Sequence, residues 1–117
     1  MVSVQENVSL RPYNTFDFEA SARFFVEIHS LDDLRAVLQN PTLQSLPRLL
    51  LGGGSNVLLT GDFEGLVLKI SIPGIDVVRE NEAHVWLKVG AGEGWHDLVR
   101  YALAHNFAGL ENLSLIP

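Results

Sequence analysis

Three consecutive glycines followed by serine and asparagine, Gly52-Gly53-Gly54-Ser55-Asn56, are the residues whose types and spacing best suit chemistry. Glycines carry no Cβ to hold a ligand away, and they adopt positive φ without strain. Successive backbone amides in such a turn converge on an anion. The Ser55 hydroxyl and the Asn56 carboxamide add further donors. Together these groups suit the cradling of a diphosphate. A glycine turn between two strands, holding nothing, accounts for the same residues equally well. Two familiar phosphate loops do not fit. The dinucleotide fingerprint requires a third glycine where Val57 stands, and a helix where the apolar, strand-like Val57-Leu58-Leu59 follows. The P-loop requires a lysine, and none is nearby.

The histidines offer no comparable site. His96 is the natural acid or base to consider, with an unperturbed pKa of about 6.5. Asp97 is its sequence neighbour, but neighbours on a helix point apart, so the two are not a dyad. His96 therefore reads as a structural or surface residue. His29, His84 and His105 show no metal-ligand spacing with it, and no metal site is expected. Cysteine is absent, which excludes disulfides and thiolate ligands and fits a reducing compartment. Gly90-Ala91-Gly92 reads first as a close-packed turn admitting Trp95, and second as a phosphate approach at a helix start. Glu93 beside it would oppose an anion while favouring the helix dipole.

The elements that must position these residues follow from periodicity. Residues 1–22 show none and read as an irregular lead-in. Phe24-Phe25-Val26-Glu27-Ile28 predicts a strand. Ser30 then caps a helix with Asp32 and Asp33 in its first turn, Leu31, Leu34, Val37 and Leu38 at helical spacing, and Pro41 as its stop. Leu49-Leu50-Leu51 predicts a buried strand before the glycines, and Gly65 to Ile70 another. Ile75 to Glu80 and Ala83 to Val89 predict an antiparallel pair turning at Asn81-Glu82. A helix is expected from Trp95 to His105, with Leu98, Val99, Ala102 and Leu103 inward and Asn106 at its end. The order makes a mixed α+β pattern, not a strict βαβ array.

Bulk properties narrow the function classes. The 117 residues suit one domain, 47% are hydrophobic, and the formal net charge is −6. That balance, with two lysines and six scattered arginines, argues against nucleic acid and against an anionic membrane surface. No apolar run is long enough to insert into a membrane, and the N-terminus lacks a signal-peptide pattern. A soluble cytoplasmic protein is the expectation.

Four stretches give the loop a specific context. Leu50-Leu51-Gly52-Gly53-Gly54-Ser55-Asn56-Val57-Leu58 resembles the FAD pyrophosphate-binding loop of the UDP-N-acetylenolpyruvoylglucosamine reductases. Tyr13-Asn14-Thr15-Phe16, Val89-Gly90-Ala91-Gly92-Glu93-Gly94-Trp95-His96 and Gly109-Leu110-Glu111-Asn112-Leu113-Ser114-Leu115-Ile116-Pro117 resemble the same family in the same order. The resemblance implies an FAD-binding domain of the PCMH type, with two α+β subdomains and the cofactor between them. On that basis residues 23–72 are the first subdomain, and 73–117 begin a second that is truncated here. It also implies an activity, in which NADPH reduces FAD and hydride passes to the enolpyruvyl group of a UDP-sugar substrate, giving UDP-N-acetylmuramate for peptidoglycan. Cofactor contacts are then expected from Gly52, Gly53, Gly54, Ser55 and Asn56, and from Ser114, Ile116 and Pro117. Leu58 reads as core first and as flanking the cofactor second. Asn14 and Thr15 are expected to anchor the N-terminal segment without touching ligand.

The serine, arginine and glutamate that act on the enolate in this family lie further downstream, so no catalytic residue is expected within 1–117. Two other functions fit parts of the pattern: an FAD-dependent oxidase of the same fold, and a non-catalytic nucleotide-binding module. Leu110-Glu111-Asn112-Leu113 weighs against the oxidase.

Overall fold

The computed structural model describes residues 2–116. In chain order its elements are β1 (Gln5–Ser9), a 3-10 turn (Arg11–Tyr13), β2 (Ser21–Ile28), α1 (Leu31–Leu38), α2 (Pro41–Gln44), β3 (Arg48–Leu51) and β4 (Phe63–Ile70). Then follow β5 (Ile75–Glu80), β6 (Val85–Val89), α3 (Trp95–Ala104) and a second 3-10 turn (Glu111–Leu113). The first four strands form one sheet in the order β1-β2-β4-β3, and β5 and β6 form a separate antiparallel pair. β2, β4 and β3 run parallel, while β1 is antiparallel to β2. The α+β class expected from the pattern is the class observed.

Both faces of the central strands are covered, which is why β4 reads as nearly continuous apolar sequence. Val26, Ile28, Leu66 and Leu68 meet Val37 of α1 and Leu43 of α2 on one face. Ala22, Phe25 and Val67 meet Leu10 and Leu51 on the other. The β2–β4 register takes three steps on β4, from Phe63 to Leu66, for two on β2. Gly65 lies in that irregularity, where a Cβ would overlap the Pro47 carbonyl oxygen.

α1 starts as its sequence dictates, with Ser30 Oγ accepting from the Asp33 amide at 3.1 Å. Its buried stripe is narrower than expected, because Leu31 and Leu38 are exposed and only Leu34 and Val37 pack on the sheet. Pro41 ends α1 and also opens α2, capped by Asn40 Oδ1 on the Thr42 amide.

Several expectations need correction. The lead-in is not wholly irregular, since Gln5–Ser9 forms β1. That strand is too polar to show alternation and is held by its ladder to β2. β3 is an edge strand, not a buried one: Leu51 is 2% exposed but Leu50 is 67% exposed. Val57-Leu58-Leu59 forms no strand. The connection 52–62 turns Val57 and Leu59 to the core and leaves Leu58 66% exposed, so Leu58 is not a core residue. The hairpin tip is longer than Asn81-Glu82, because Asn81 Oδ1 accepts from both Ala83 and His84 amides and β6 starts at Val85. In α3, Leu98, Val99 and Ala102 are buried as expected, but Leu103 is 57% exposed. Asn106 follows the helix at φ +59°, a left-handed position that asparagine tolerates.

The connection 71–74 between β4 and β5 is fixed from both sides. Ser71 donates its amide to the Ile28 carbonyl at 2.8 Å and its hydroxyl to Glu27 Oε1 at 2.9 Å. From the other side, the Gly90 and Gly92 amides donate to the Gly74 and Ile72 carbonyls, each at 2.8 Å. A Cβ on Gly90 or Gly92 would overlap the backbone of residues 71–73. Glu93 Oε1 accepts from the Gly74 amide at 2.8 Å. The first reading of Gly90-Ala91-Gly92 as a close-packed turn therefore holds, but the partner is this connection, and Trp95 is 47% exposed.

Candidate functional site

The glycine loop begins at the carboxyl end of β3, the end of parallel strands at which α/β folds bind ligands. Its three glycines have different jobs. Gly52 and Gly53 are exposed, and a Cβ on either would point into open space. Gly54 is buried at φ +70°, and a Cβ there would overlap the Tyr13 carbonyl oxygen. Thr15 donates its amide to the Gly54 carbonyl at 2.9 Å. The lead-in thus pins the end of the loop and leaves its first two residues open.

Asn14 makes that pin rigid. It is 7% exposed, and Nδ2 donates to the Leu10 and Phe18 carbonyls at 2.8 and 3.0 Å. Oδ1 accepts from the Phe18 amide at 2.9 Å. The next anchor is Tyr13, whose ring centroid is 4.7 Å from that of Phe25 in the core. The expected anchoring role of Asn14 and Thr15 is what the geometry gives. The Tyr13–Gly54 contact itself has no sequence signal, since it joins residues far apart in the chain through backbone atoms. Nearby, Arg11 and Asp17 pair at 2.8 Å. The Arg11 hydrogen bond, reinforced by its charge, holds the Asp17 carboxyl below its ordinary range.

The loop fits the diphosphate of a dinucleotide cofactor. Among the described residues, the amides of Gly53, Gly54, Ser55 and Asn56 donate to no backbone carbonyl. Ser55 is half-buried and Asn56 exposed, and both carry hydrogen-bonding side chains. Open Cβ directions at Gly52 and Gly53 let a ligand reach the backbone.

The second group of expected contacts belongs to the unit built on β5, β6 and α3. Ser114 Oγ lies 3.2 Å from His96 Nδ1 in the first turn of α3. Leu115 follows at φ +62° and is 76% exposed, and Ile116 is 42% exposed. Gly109, at φ +113°, donates its amide to both oxygens of the Glu111 carboxylate. Pro117 lies outside the described residues. His96, expected as a structural or surface residue, is exposed, and its partner is a residue expected at the cofactor. Neither periodicity nor spacing would have joined the two.

A separate groove of about 740 Å³ runs between the β5–β6 hairpin and residues 106–110. Its lining mixes apolar Val85, Leu87, Val89, Leu98 and Phe107 with polar Glu80 and Glu82, and it includes none of the expected cofactor contacts. The glycine loop is where, among the described residues, unpaired backbone donors gather, from Gly53 to Asn56. Among the described residues, no three His, Cys, Asp or Glu side chains are grouped to hold a metal, and no helix is long and apolar enough to cross a membrane.

Known proteins resemble this chain over nearly its whole length. The UDP-N-acetylenolpyruvoylglucosamine reductase of Amoebophilus asiaticus is 46% identical over 116 residues, covering 99% of this chain and 34% of that protein. The protein of the same name from Paraburkholderia phymatum is 49% identical over 108 residues, covering 92% of this chain and 31% of that protein. The chain thus spans about a third of the length of the curated relatives it matches. Among solved structures, the UDP-N-acetylenolpyruvylglucosamine reductase of Thermus caldophilus superposes with a TM-score of 0.71 at 23% identity, over 100% of this chain and 39% of that one. That likeness establishes the fold. A family model described as FAD binding domain matches residues 22–117, and the chain belongs to that family.

Proposed function

We propose that this chain is the N-terminal FAD-binding part of a reductase that converts UDP-N-acetylglucosamine enolpyruvate to UDP-N-acetylmuramate, with NADPH as reductant. The observation that carries the reading is the glycine loop, open at Gly52 and Gly53 and pinned at Gly54 by Tyr13 and Thr15. It occurs in a chain 46% identical to a protein of that name. The amides of Gly53 to Asn56, with the Ser55 and Asn56 side chains, hold the FAD diphosphate, and Leu58 flanks it from its exposed position. Ser114, Ile116 and Pro117 approach the flavin. When bound, FAD supplies the hydride relay between NADPH and the enolpyruvyl carbon.

The chain's own residues bind and orient; they move no proton. The serine, arginine and glutamate implied by the family resemblance lie beyond residue 117, so no catalytic residue is assigned here. The product places the reaction in peptidoglycan precursor synthesis, and the cytoplasm is the compartment in which NADPH is available to it.

The test is to purify the complete reductase carrying this segment, record its flavin absorbance, and follow NADPH oxidation with and without the enolpyruvyl sugar nucleotide. Bound flavin with substrate-dependent oxidation is expected, and the 117-residue chain alone should give no turnover. A flavin-free protein, or oxidation indifferent to that substrate, would overturn the proposal.

A further inference from the structure

The contact between His96 and Ser114 is not explained by packing. Both side chains are polar, His96 is exposed, and the residues come from different elements, the first turn of α3 and the end of the Glu111–Leu113 turn. What lies next to Ser114 gives the contact a purpose. Leu115 adopts φ +62°, a left-handed conformation that residues other than Gly, Asn and Asp seldom adopt, with its side chain 76% exposed. A strained, solvent-facing leucine gains nothing from the core, so something else must select its backbone geometry.

The segment is restrained at both ends. At Gly109, φ +113° is accompanied by the amide bonds to the Glu111 carboxylate, at 3.2 and 3.0 Å. At Ser114, the amide donates to the Glu111 carbonyl at 3.3 Å and the hydroxyl meets His96. Beyond Ser114 the Leu115 turn follows directly. His96 is therefore the side-chain restraint closest to the strained residue.

We propose that His96 is a positioning residue: by holding Ser114 Oγ it selects the left-handed turn at Leu115 and presents the Ser114–Ile116 backbone to the flavin in one conformation. The inference rests on the reading of this chain as part of a flavoprotein. It assigns His96 no proton transfer and no contact with substrate. Its effect on the cofactor runs through Ser114, so removing either partner should have the same consequence, and removing both should add nothing.

The experiment uses the complete flavoprotein and four variants, His96→Ala, His96→Asn, Ser114→Ala and the double alanine variant. Each is assayed for FAD affinity, for the shape of the visible flavin band, and for melting temperature after FAD removal. His96→Ala and Ser114→Ala should each weaken FAD by about threefold to tenfold, the worth of one hydrogen bond, and alter the flavin band alike. The double variant should lose no more than either single one. His96→Asn, which keeps a hydrogen-bonding group near the position of Nδ1, should recover most of the affinity. Apo melting temperatures should stay close to that of the parent. Unchanged affinity and spectrum in both single variants, or losses that multiply in the double variant, would overturn the proposal while leaving the flavoprotein reading intact. So would a loss of affinity matched by an equal fall in apo stability that His96→Asn fails to rescue. A parent protein that binds no FAD would instead remove the reading on which the inference rests.

Discussion

Gly54 and Tyr13 are in backbone contact, so close that the carbonyl oxygen of Tyr13 occupies the space a Cβ on Gly54 would need. The contact makes the three glycines unequal. Gly54→Ala must place a side chain at φ +70° and also displace Tyr13, and should destabilise the complete protein by about 2–4 kcal/mol. A Cβ at Gly53 meets no neighbour, so Gly53→Val should change stability by less than about 1 kcal/mol, yet weaken FAD by at least about tenfold by blocking the backbone amides. Urea unfolding of the apo form and flavin titration separate the two effects. Equal stability losses at positions 53 and 54 would contradict the geometry.

Asn14 should behave as a core residue despite its polarity. Leucine at that position fills the volume but leaves the Phe18 amide and carbonyl without their partner, and leaves the Leu10 carbonyl with the Tyr13 amide alone. Asn14→Leu should cost about 1–3 kcal/mol in urea unfolding. It should also weaken FAD, because Thr15 holds the Gly54 carbonyl from the same turn. A neutral substitution would mean that the lead-in does not support the loop.

The two leucines of α3 give a cleaner contrast. Leu98 is 7% exposed and Leu103 is 57% exposed. Leu98→Ala should destabilise by about 2–5 kcal/mol. Leu103→Ala should stay within about 0.5 kcal/mol of the parent. Denaturant midpoints with unchanged slopes are the measurement, and a larger loss at 103 would reverse the assignment of the buried face.

Asp17 provides the pH signature. Its folded carboxyl titrates below the ordinary value because Arg11 hydrogen-bonds it and adds its charge. The depressed folded value means the stabilisation is present above the unfolded carboxylate range and is lost as pH falls through the folded value. The lead-in should therefore loosen in acid. In Arg11→Ala, NMR titration should return Asp17 toward its ordinary range; an unmoved Asp17 would show that the pair does not form in solution.

What the sequence disclosed depends on where each interaction is written. Ser30 with Asp32 and Asp33, and Pro41 beyond them, are local signals, and both ends of α1 follow them. Phe24 to Ile28 and Gly65 to Ile70 are read as strands and lie within β2 and β4, because strands buried on both faces need no alternation. β1 was missed because Gln5, Glu6 and Asn7 say nothing by themselves; their strand exists through pairing with Phe24 and Phe25. Leu50 and Leu103 were misplaced for a related reason. Their types fit an interior, but the end of a sheet and the outer flank of a helix have no neighbour to cover them. At the candidate site the glycines were legible by type. Their division into two open positions and one pinned position was not, since it depends on the Tyr13 backbone.

A single strand-to-strand connection between two lobes is the usual place for a hinge. Here, rotation within residues 72–74 would tear the Gly90, Gly92 and Glu93 bonds, and rotation before Ser71 would tear its bonds to Ile28 and Glu27. Neither glycine could be replaced without moving this connection, because a Cβ on either would overlap the backbone of residues 71–73. The Ser71–Ile72 link is thereby the point at which the two anchorages meet, with Ser71 held to the β1–β4 sheet and Ile72 and Gly74 held to the β5–β6 unit.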